Sequence, residues 1–327
     1  MAFRYLELVN EITAPMPPMP IARLGPPPLR PLTVPLAQAR VLVVSSAGVH
    51  YRSDPPFAPV NDMRFRRLAH SAEPGELRPS HPSPIRRPGL VDINVVHPYQ
   101  RLDDLAGAGV IAGPTSHHQS VLGAIKLLVP LVKELGPSMA ADARDAGADV
   151  VLLVPLCPAC HQAIGILARV IEAEGLATVT LSSCRDITES VRPPRAAFLD
   201  FPLGNSAGRP KHPEEQRRIL TDALRLAEEA TSPGEIVDLA YTWPERGWVD
   251  AMVQQYRAEA ATVASQRSHE LAPDGRNIAA EEVAAVEALL GGAGNAPPGQ
   301  GRRRRPAGGT GPVPGVARRQ SDAEDGT

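Results

Sequence analysis

Continuous apolar runs alternate along this chain with segments whose apolar residues recur at helical spacing. Ala39-Arg40-Val41-Leu42-Val43-Val44-Ser45-Ser46 reads as the first core strand, and Asp149-Val150-Val151-Leu152-Leu153-Val154-Pro155-Leu156 as a strand buried on both faces. Thr178-Val-Thr-Leu181-Ser182-Ser183-Cys184 and Arg195-Ala-Ala-Phe198-Leu199-Asp200-Phe201 continue the set, with shorter strands expected at 63–68, 92–96 and 110–112. Helical periodicity marks 161–171 and 214–230, and helices are also expected over 3–12, 102–106, 123–135 despite Pro130, 139–146, 186–191 and 281–290. Alternating strands and helices predict an α/β fold, a doubly wound and mostly parallel sheet with flanking helices. In such sheets ligands gather beyond the carboxyl ends of the strands. The turns at 46–50, His97, 157–160, 182–184 and 202–208 all fall at those ends.

Proline punctuates the rest. Its 36 residues in 327 are about double the usual share and crowd the first forty positions and the loops of 54–98. The expected organisation is a Pro-rich arm at 1–38, an α/β domain at 39–231, a helical appendage at 232–290 and a disordered tail at 291–327. Trp243, Trp248, Met252 and Tyr256 are expected to form one apolar face of the appendage, and Arg302-Arg-Arg-Arg305 a solvated cluster. The net charge of −2 gives no reason to expect nucleic acid or an acidic membrane as a partner. No signal segment opens the chain and no apolar run is long enough to span a bilayer, so a cytoplasmic protein is expected.

Only 3 cysteines are present, too few for a disulfide scaffold. Two lie in Cys157-Pro-Ala-Cys160-His161, between a strand's carboxyl end and a helix's amino end. Free N–H groups and the helix dipole favour a thiolate there. A Cys-x-x-Cys pair so placed can attack with one sulfur and release the product by forming a disulfide with the other. The same spacing spells a haem-attachment motif, but it is embedded in an expected parallel-sheet core. A structural zinc site would need Cys184 or a histidine to complete its ligands. No dinucleotide fingerprint or P-loop is present, so no bound cofactor is expected and electrons would come from an external dithiol protein.

Four segments carry a family resemblance: Ser46-Ala-Gly-Val-His50 with Asp54-Pro-Pro-Phe57; Asp92-Ile-Asn-Val-Val96; Val154-Pro-Leu-Cys157-Pro-Ala-Cys160-His161; and Ser182-Ser-Cys184-Arg-Asp-Ile-Thr-Glu189 running on to Phe201-Pro-Leu-Gly204. Across 41–230 the chain resembles the selenoprotein B family of the glycine, sarcosine, betaine and D-proline reductases. That family carries a selenocysteine three residues before a cysteine. Here Cys157 stands in the first place and Cys160 in the second. The resemblance implies attack on the carbon alpha to a carboxylate, displacement of the amine, and completion of the two-electron reduction by the neighbouring thiol. It also implies a small amino-acid or amine-bearing acid as substrate, a thioredoxin-like donor and a partner subunit; a homo-oligomer is expected too.

Cys157 is then the nucleophile, its pKa lowered by the helix terminus and by His161 or another histidine, and Cys160 the resolving thiol. Among His50, His81, His97, His117 and His118, His50 is the first candidate to protonate the leaving amine. Ser46, Gly48, Ser182, Ser183 and Gly204 are candidates to hold a carboxylate through hydroxyls and backbone N–H groups. Cys184 and Arg185 read as structural. Two other readings stay open: a cofactor-independent racemase or lyase using the thiols as acid and base, and a non-enzymatic zinc-binding or redox-sensing module.

Overall fold

Val150–Val154 has no polar side chain and is buried along its whole length, as a strand covered on both faces must be. It lies at the centre of the sheet in a computed structural model that describes residues 3–291 and the backbone of 302–304. In chain order the strands are β1 Arg40–Ser45, β2 Val49–Tyr51, β3 Arg66–Ala69, β4 Leu77–Pro79, β5 Gly113–Pro114, β6 His117–Ser120, β7 Val150–Val154, β8 Ala177–Ser182, β9 Arg195–Phe198, β10 Glu235–Leu239 and β11 Arg302–Arg304. The main sheet has the order β11-β10-β9-β8-β7-β1-β6-β3, with β5 also pairing β1. Every pairing in it is parallel except β3 with β6. A small antiparallel ribbon, β2–β4, stands apart.

From β1 the chain moves out through β6 and then returns to β7, after which β8, β9 and β10 extend the opposite way. The order therefore reverses between β1 and β7. A crevice opens outside the carboxyl ends of the strands at such a point. Ser46 follows β1 directly, and Cys157 lies three residues past the end of β7.

The helices are α1 Tyr5–Ile12, α2 Arg87–Val91, α3 Arg101–Gly107, α4 Leu128–Pro130, α5 Gly136–Asp145, α6 Pro158–Ala173, α7 Arg185–Val191, α8 Pro213–Leu224, α9 Leu226–Glu229, α10 Trp248–Ala258, α11 Ala260–Arg267 and α12 Ile278–Leu290. Strand side chains alternate between faces, and two cores follow from that parity. Leu42, Val44, Val151 and Leu153 pack with Ala140 and Ala143 of α5 and Ile164 and Leu167 of α6. Val41, Val43, Leu152 and Val154 pack with Leu102 and Leu105 of α3 and Ile219 and Leu220 of α8. Helices on both faces make the sheet doubly wound, as expected.

The arm and the appendage share the first of these cores. Tyr5, Leu8 and Val9 of α1, Met252 and Tyr256 of α10 and Val286 of α12 belong to the same buried cluster as Cys157. Polar anchors fix the arrangement. Lys126 Nζ lies 2.9 Å from Glu270 Oε1, and Glu270 also takes Arg267 at 2.8 Å. Arg267 donates onward to Thr13 and the Pro17 carbonyl of the arm. On α6, Glu172 pairs with the buried Arg195 at 3.1 Å and accepts from the Thr178 backbone at 2.7 Å.

Several local expectations change. Residues 92–96 form no strand: Asp92 caps a 3-10 turn, Ile93–Val95, by accepting from the Asn94 N–H. A five-residue apolar run fits a buried turn as well as a strand. The short strand expected at 110–112 falls at Gly113–Pro114, and the helix expected from 123 starts at Leu128. That helix widens to a π-helical turn, Leu131–Leu135, just ahead of Pro137, whose ring cannot sit against the carbonyl four residues back. The aromatic face expected on the appendage is divided, since Trp243 packs on Phe201 in the second core while Met252 and Tyr256 join the first. The tail expected to be disordered, 291–327, lies outside the described residues apart from Gly291 and the backbone of β11.

Candidate active site

Cys157 is the N-cap of α6, with Pro158 at the first helical position, where a missing N–H costs nothing. Its sulfur accepts the Cys160 N–H at 3.3 Å, as an N-cap side chain should. One turn on, Cys160 points the same way, and the two sulfurs stand 2.9 Å apart as free cysteines. Gly123 makes room for them: a Cβ there would lie 2.6 Å from the Cys160 sulfur and 2.8 Å from Ser46 Cβ.

The imidazole at the thiols belongs to His81, not to His50 or His161. His81 Nε2 lies 3.4 Å from Cys160 Sγ. Its Nδ1 accepts the Ser83 N–H at 3.1 Å, which assigns the ring proton to Nε2 and aims it at the sulfur. His161 does different work. Its Nδ1 bonds the Cys157 carbonyl at 2.8 Å and its Nε2 accepts the Ser183 N–H at 3.1 Å, tying the start of α6 to the end of β8. His50 sits on β2, its Nδ1 2.6 Å from the Tyr51 carbonyl, and bonds neither thiol.

Burial pushes the Cys157 thiol up, and the hydrogen bond and charge of Cys160 push it further. Burial also raises Cys160, but the hydrogen bonds from Cys157 and His81 outweigh it, and its pKa falls well below the ordinary thiol value. The two shifts run in opposite directions, so the sulfur on the His81 side is the more acidic of the pair. This departs from the expected lowering at Cys157 itself. The reason is geometric: the imidazole reaches the second sulfur, not the first.

Access runs the other way. Cys160 is fully buried, whereas Cys157 is 6% exposed and lines a cavity of about 40 Å³. Ala124, Lys126 and Ile85 form part of that wall, and Tyr256, Gln266 and Arg267 of the appendage form another part. A much larger cleft, about 700 Å³, lies by Arg185, Asp200, Asp238 and Trp243; it has neither histidine nor cysteine in its lining.

The remaining predicted residues divide. Ser46 belongs to the site: its Oγ accepts the Leu156 N–H at 2.9 Å, and its carbonyl lies 3.9 Å from Cys160 Sγ. Gly48, at φ +62°, turns the chain there and accepts from Ser80. Ser182 Oγ pairs with Thr188 Oγ1 at 2.7 Å and helps begin α7. Ser183 Oγ is buried without a hydrogen-bond partner. Gly204, at φ +90°, passes so close to the Ile85 carbonyl that a Cβ would collide with it. Cys184 donates to Asp186 at 3.3 Å, and burial, then the Asp186 charge, raises its pKa, in keeping with a structural role. His97 and His118 form a separate cluster with His70, whose Nδ1 is 3.0 Å from His118 Nε2.

The ligand atoms of His81, Cys157 and Cys160 all lie within 4.8 Å of one another, near enough to hold a metal ion. The Ser83 N–H argues against it, because zinc needs a bare Nε2 and hence a proton on Nδ1, where a donor already points.

Among the described residues no helix is long and apolar enough to cross a membrane. No family model matches the chain, and no solved structure does. A curated relative does: D-proline reductase subunit gamma of Acetoanaerobium sticklandii is 31% identical over 221 residues, 67% of this chain and 91% of the relative. With that identity running across nearly the whole relative, and a Cys-x-x-Cys pair at the sheet's switch point, the chain belongs to the proline/glycine reductase family.

Proposed function

We propose that this chain is a thiol-dependent reductase that cleaves a C–N bond alpha to a carboxylate, with Cys157 as nucleophile and Cys160 as resolving thiol. The observation that carries this reading is the Cys157–Cys160–His81 arrangement: two sulfurs 2.9 Å apart, one reaching a cavity and the other against an imidazole. The Cys160 thiolate takes the Cys157 proton as substrate enters. Cys157 sulfur then attacks the alpha carbon, a C–S bond forms, the C–N bond breaks, and the leaving amine takes the proton that Cys160 gives up. The Cys160 thiolate so formed attacks the Cys157 sulfur; an S–S bond forms, the C–S bond breaks, and the carbon takes a proton from solvent. Two electrons have passed from the thiols to the substrate. A thioredoxin-like dithiol returns them.

The candidate substrates are small amine-bearing acids: D-proline, glycine, sarcosine and betaine. The relative's designation as a subunit supports work within a larger assembly. His81, rather than His50, is placed to move protons at the sulfurs. Acid–base work by the thiols on opposite faces of a carbon, as in a racemase, needs sulfurs that flank it, and 2.9 Å leaves no room for one.

The test is dithiol-dependent turnover of those four acids by the chain in its native assembly. Activity lost in both Cys157→Ser and Cys160→Ser and kept in Cys184→Ser supports the reading. Turnover by Cys157→Ser overturns it.

A further inference from the structure

The cavity that Cys157 reaches is walled on one side by the appendage, and that wall carries polar atoms with nothing to bind. Tyr256 is 4% exposed, and its hydroxyl is buried with no hydrogen-bond partner. Gln266 Nε2 is likewise buried and unpartnered. Both residues line the cavity. An unmet buried donor is costly, so two on one wall mark a place where a ligand completes the structure. The Tyr256 hydroxyl also lies within electrostatic reach of the Cys157 and Cys160 sulfurs.

Charge gives the ligand its sign. Lys126 and Arg267 both pair with the single carboxylate of Glu270, and all three are buried. Their other hydrogen-bond partners, Thr13 and the Pro17 carbonyl, are neutral. Two cations on one anion leave one positive charge beside the cavity, shared between the thiolate of the cysteine pair and any anion that enters. A buried positive charge with two hydrogen-bond donors is a receptor for a carboxylate.

We propose that Lys126, Tyr256 and Gln266 form the carboxylate subsite of this enzyme, so that the appendage supplies the groups that orient a small amino or imino acid over Cys157. This rests on the reductase reading for its chemistry but not for its binding. The approach is in keeping with that reading: a carboxylate held at this wall presents its alpha carbon to the sulfur below. A volume of about 40 Å³ holds only one or a few waters. The wall must therefore widen to seat a substrate with its carboxylate on these groups.

The decisive variant is Tyr256→Phe. Removing an unpartnered hydroxyl leaves folding stability unchanged or raises it, while a lost hydrogen bond to the ligand raises KM about tenfold with kcat changed less. Gln266→Leu is the second variant, with the same expected pattern. Binding is read without turnover on reduced Cys157→Ser protein, by calorimetry with D-proline, glycine, sarcosine and betaine, each beside its carboxamide. Saturable binding of at least one acid, loss of it for the amide, and about tenfold weakening by Tyr256→Phe support the subsite. Equal binding of acid and amide, no binding of any of the four, or unchanged affinity in both Tyr256→Phe and Gln266→Leu overturns it. Acid binding without turnover in the native assembly would keep the subsite and remove the reductase reading; turnover with unmoved KM in both variants would do the reverse.

Discussion

The Nε2 of His81 lies 3.4 Å from the sulfur of Cys160, and the Ser83 N–H at Nδ1 holds the ring in the tautomer that donates to it. One backbone amide thus aims an N–H donor at one of the two thiols. A hydrogen bond to a charged group contributes about 1.5–3 kcal/mol, or about 1–2 pH units. In His81→Ala the pH midpoint for alkylation of the pair should rise by that amount, and turnover should fall about a hundredfold. Peptide mass spectrometry after timed alkylation checks it. An unmoved midpoint would remove His81 from the account.

Gly123→Ala probes the room behind the sulfurs. Its methyl would stand 2.6 Å from Cys160 Sγ and 2.9 Å from Cys160 Cβ, so the cysteine or the start of α6 must move. Overpacking of this kind costs about 1–3 kcal/mol, and misplacing the thiols should cost about 10–100-fold in kcat/KM. Gly107→Ala, with nothing within 4 Å of the new methyl, is the control and should leave kcat/KM unchanged.

The buried histidine cluster predicts acid sensitivity. His97 is wholly buried, both ring nitrogens lack partners, and burial, with the charge of His70 behind it, lowers its pKa from 6.5 to about 3. His118 is lowered too, by burial first and then by the charges of His97, His70 and His117. Below pH 6.5 the unfolded chain takes up protons that the folded chain refuses. Stability is therefore full above that value and declines as pH falls toward 3, by about 1.4 kcal/mol per unit for each histidine. Urea unfolding at successive pH values measures the slope, and His97→Leu should lessen it by one histidine's share.

Glu172 and Arg195 form a buried pair, 0% and 1% exposed. Glu172→Ala strands the guanidinium, which then has only the Arg30 and Ala227 carbonyls as partners. The expected loss is about 3–5 kcal/mol, read as a lower urea midpoint. Because the pair lies at the far end of α6 from the thiols, kcat of the folded fraction should hold.

What the sequence made legible, and what it did not, follows from the range of the forces involved. Cys157 could be placed between strand and helix because β7 is apolar without interruption and α6 repeats at 3.6 residues, both local signals. His81 stayed hidden in the run Pro79-Ser-His81-Pro-Ser-Pro84, where no periodicity exists. It reaches Cys160 only because β4 pairs back on β2 and the chain beyond it bonds Ala47 and Gly48. His50 was the better candidate by position, but its ring turns to the Tyr51 carbonyl. The appendage's share in the cavity was equally unreadable, since an apolar stripe holding Met252 and Tyr256 says that a helix is covered and not by what. Strand order escaped for the same reason: parallel neighbours are chosen by packing across the whole sheet.

The central claim, that Cys157 and Cys160 act as one redox pair, is tested most directly by differential alkylation after a single turnover. Reduced enzyme in its native assembly is mixed with an accepted substrate and no electron donor, and free thiols are blocked and mapped by mass spectrometry. The account predicts one Cys157–Cys160 disulfide for each molecule of reduced acid, with Cys184 still free. Product formed while both thiols remain alkylatable would contradict it.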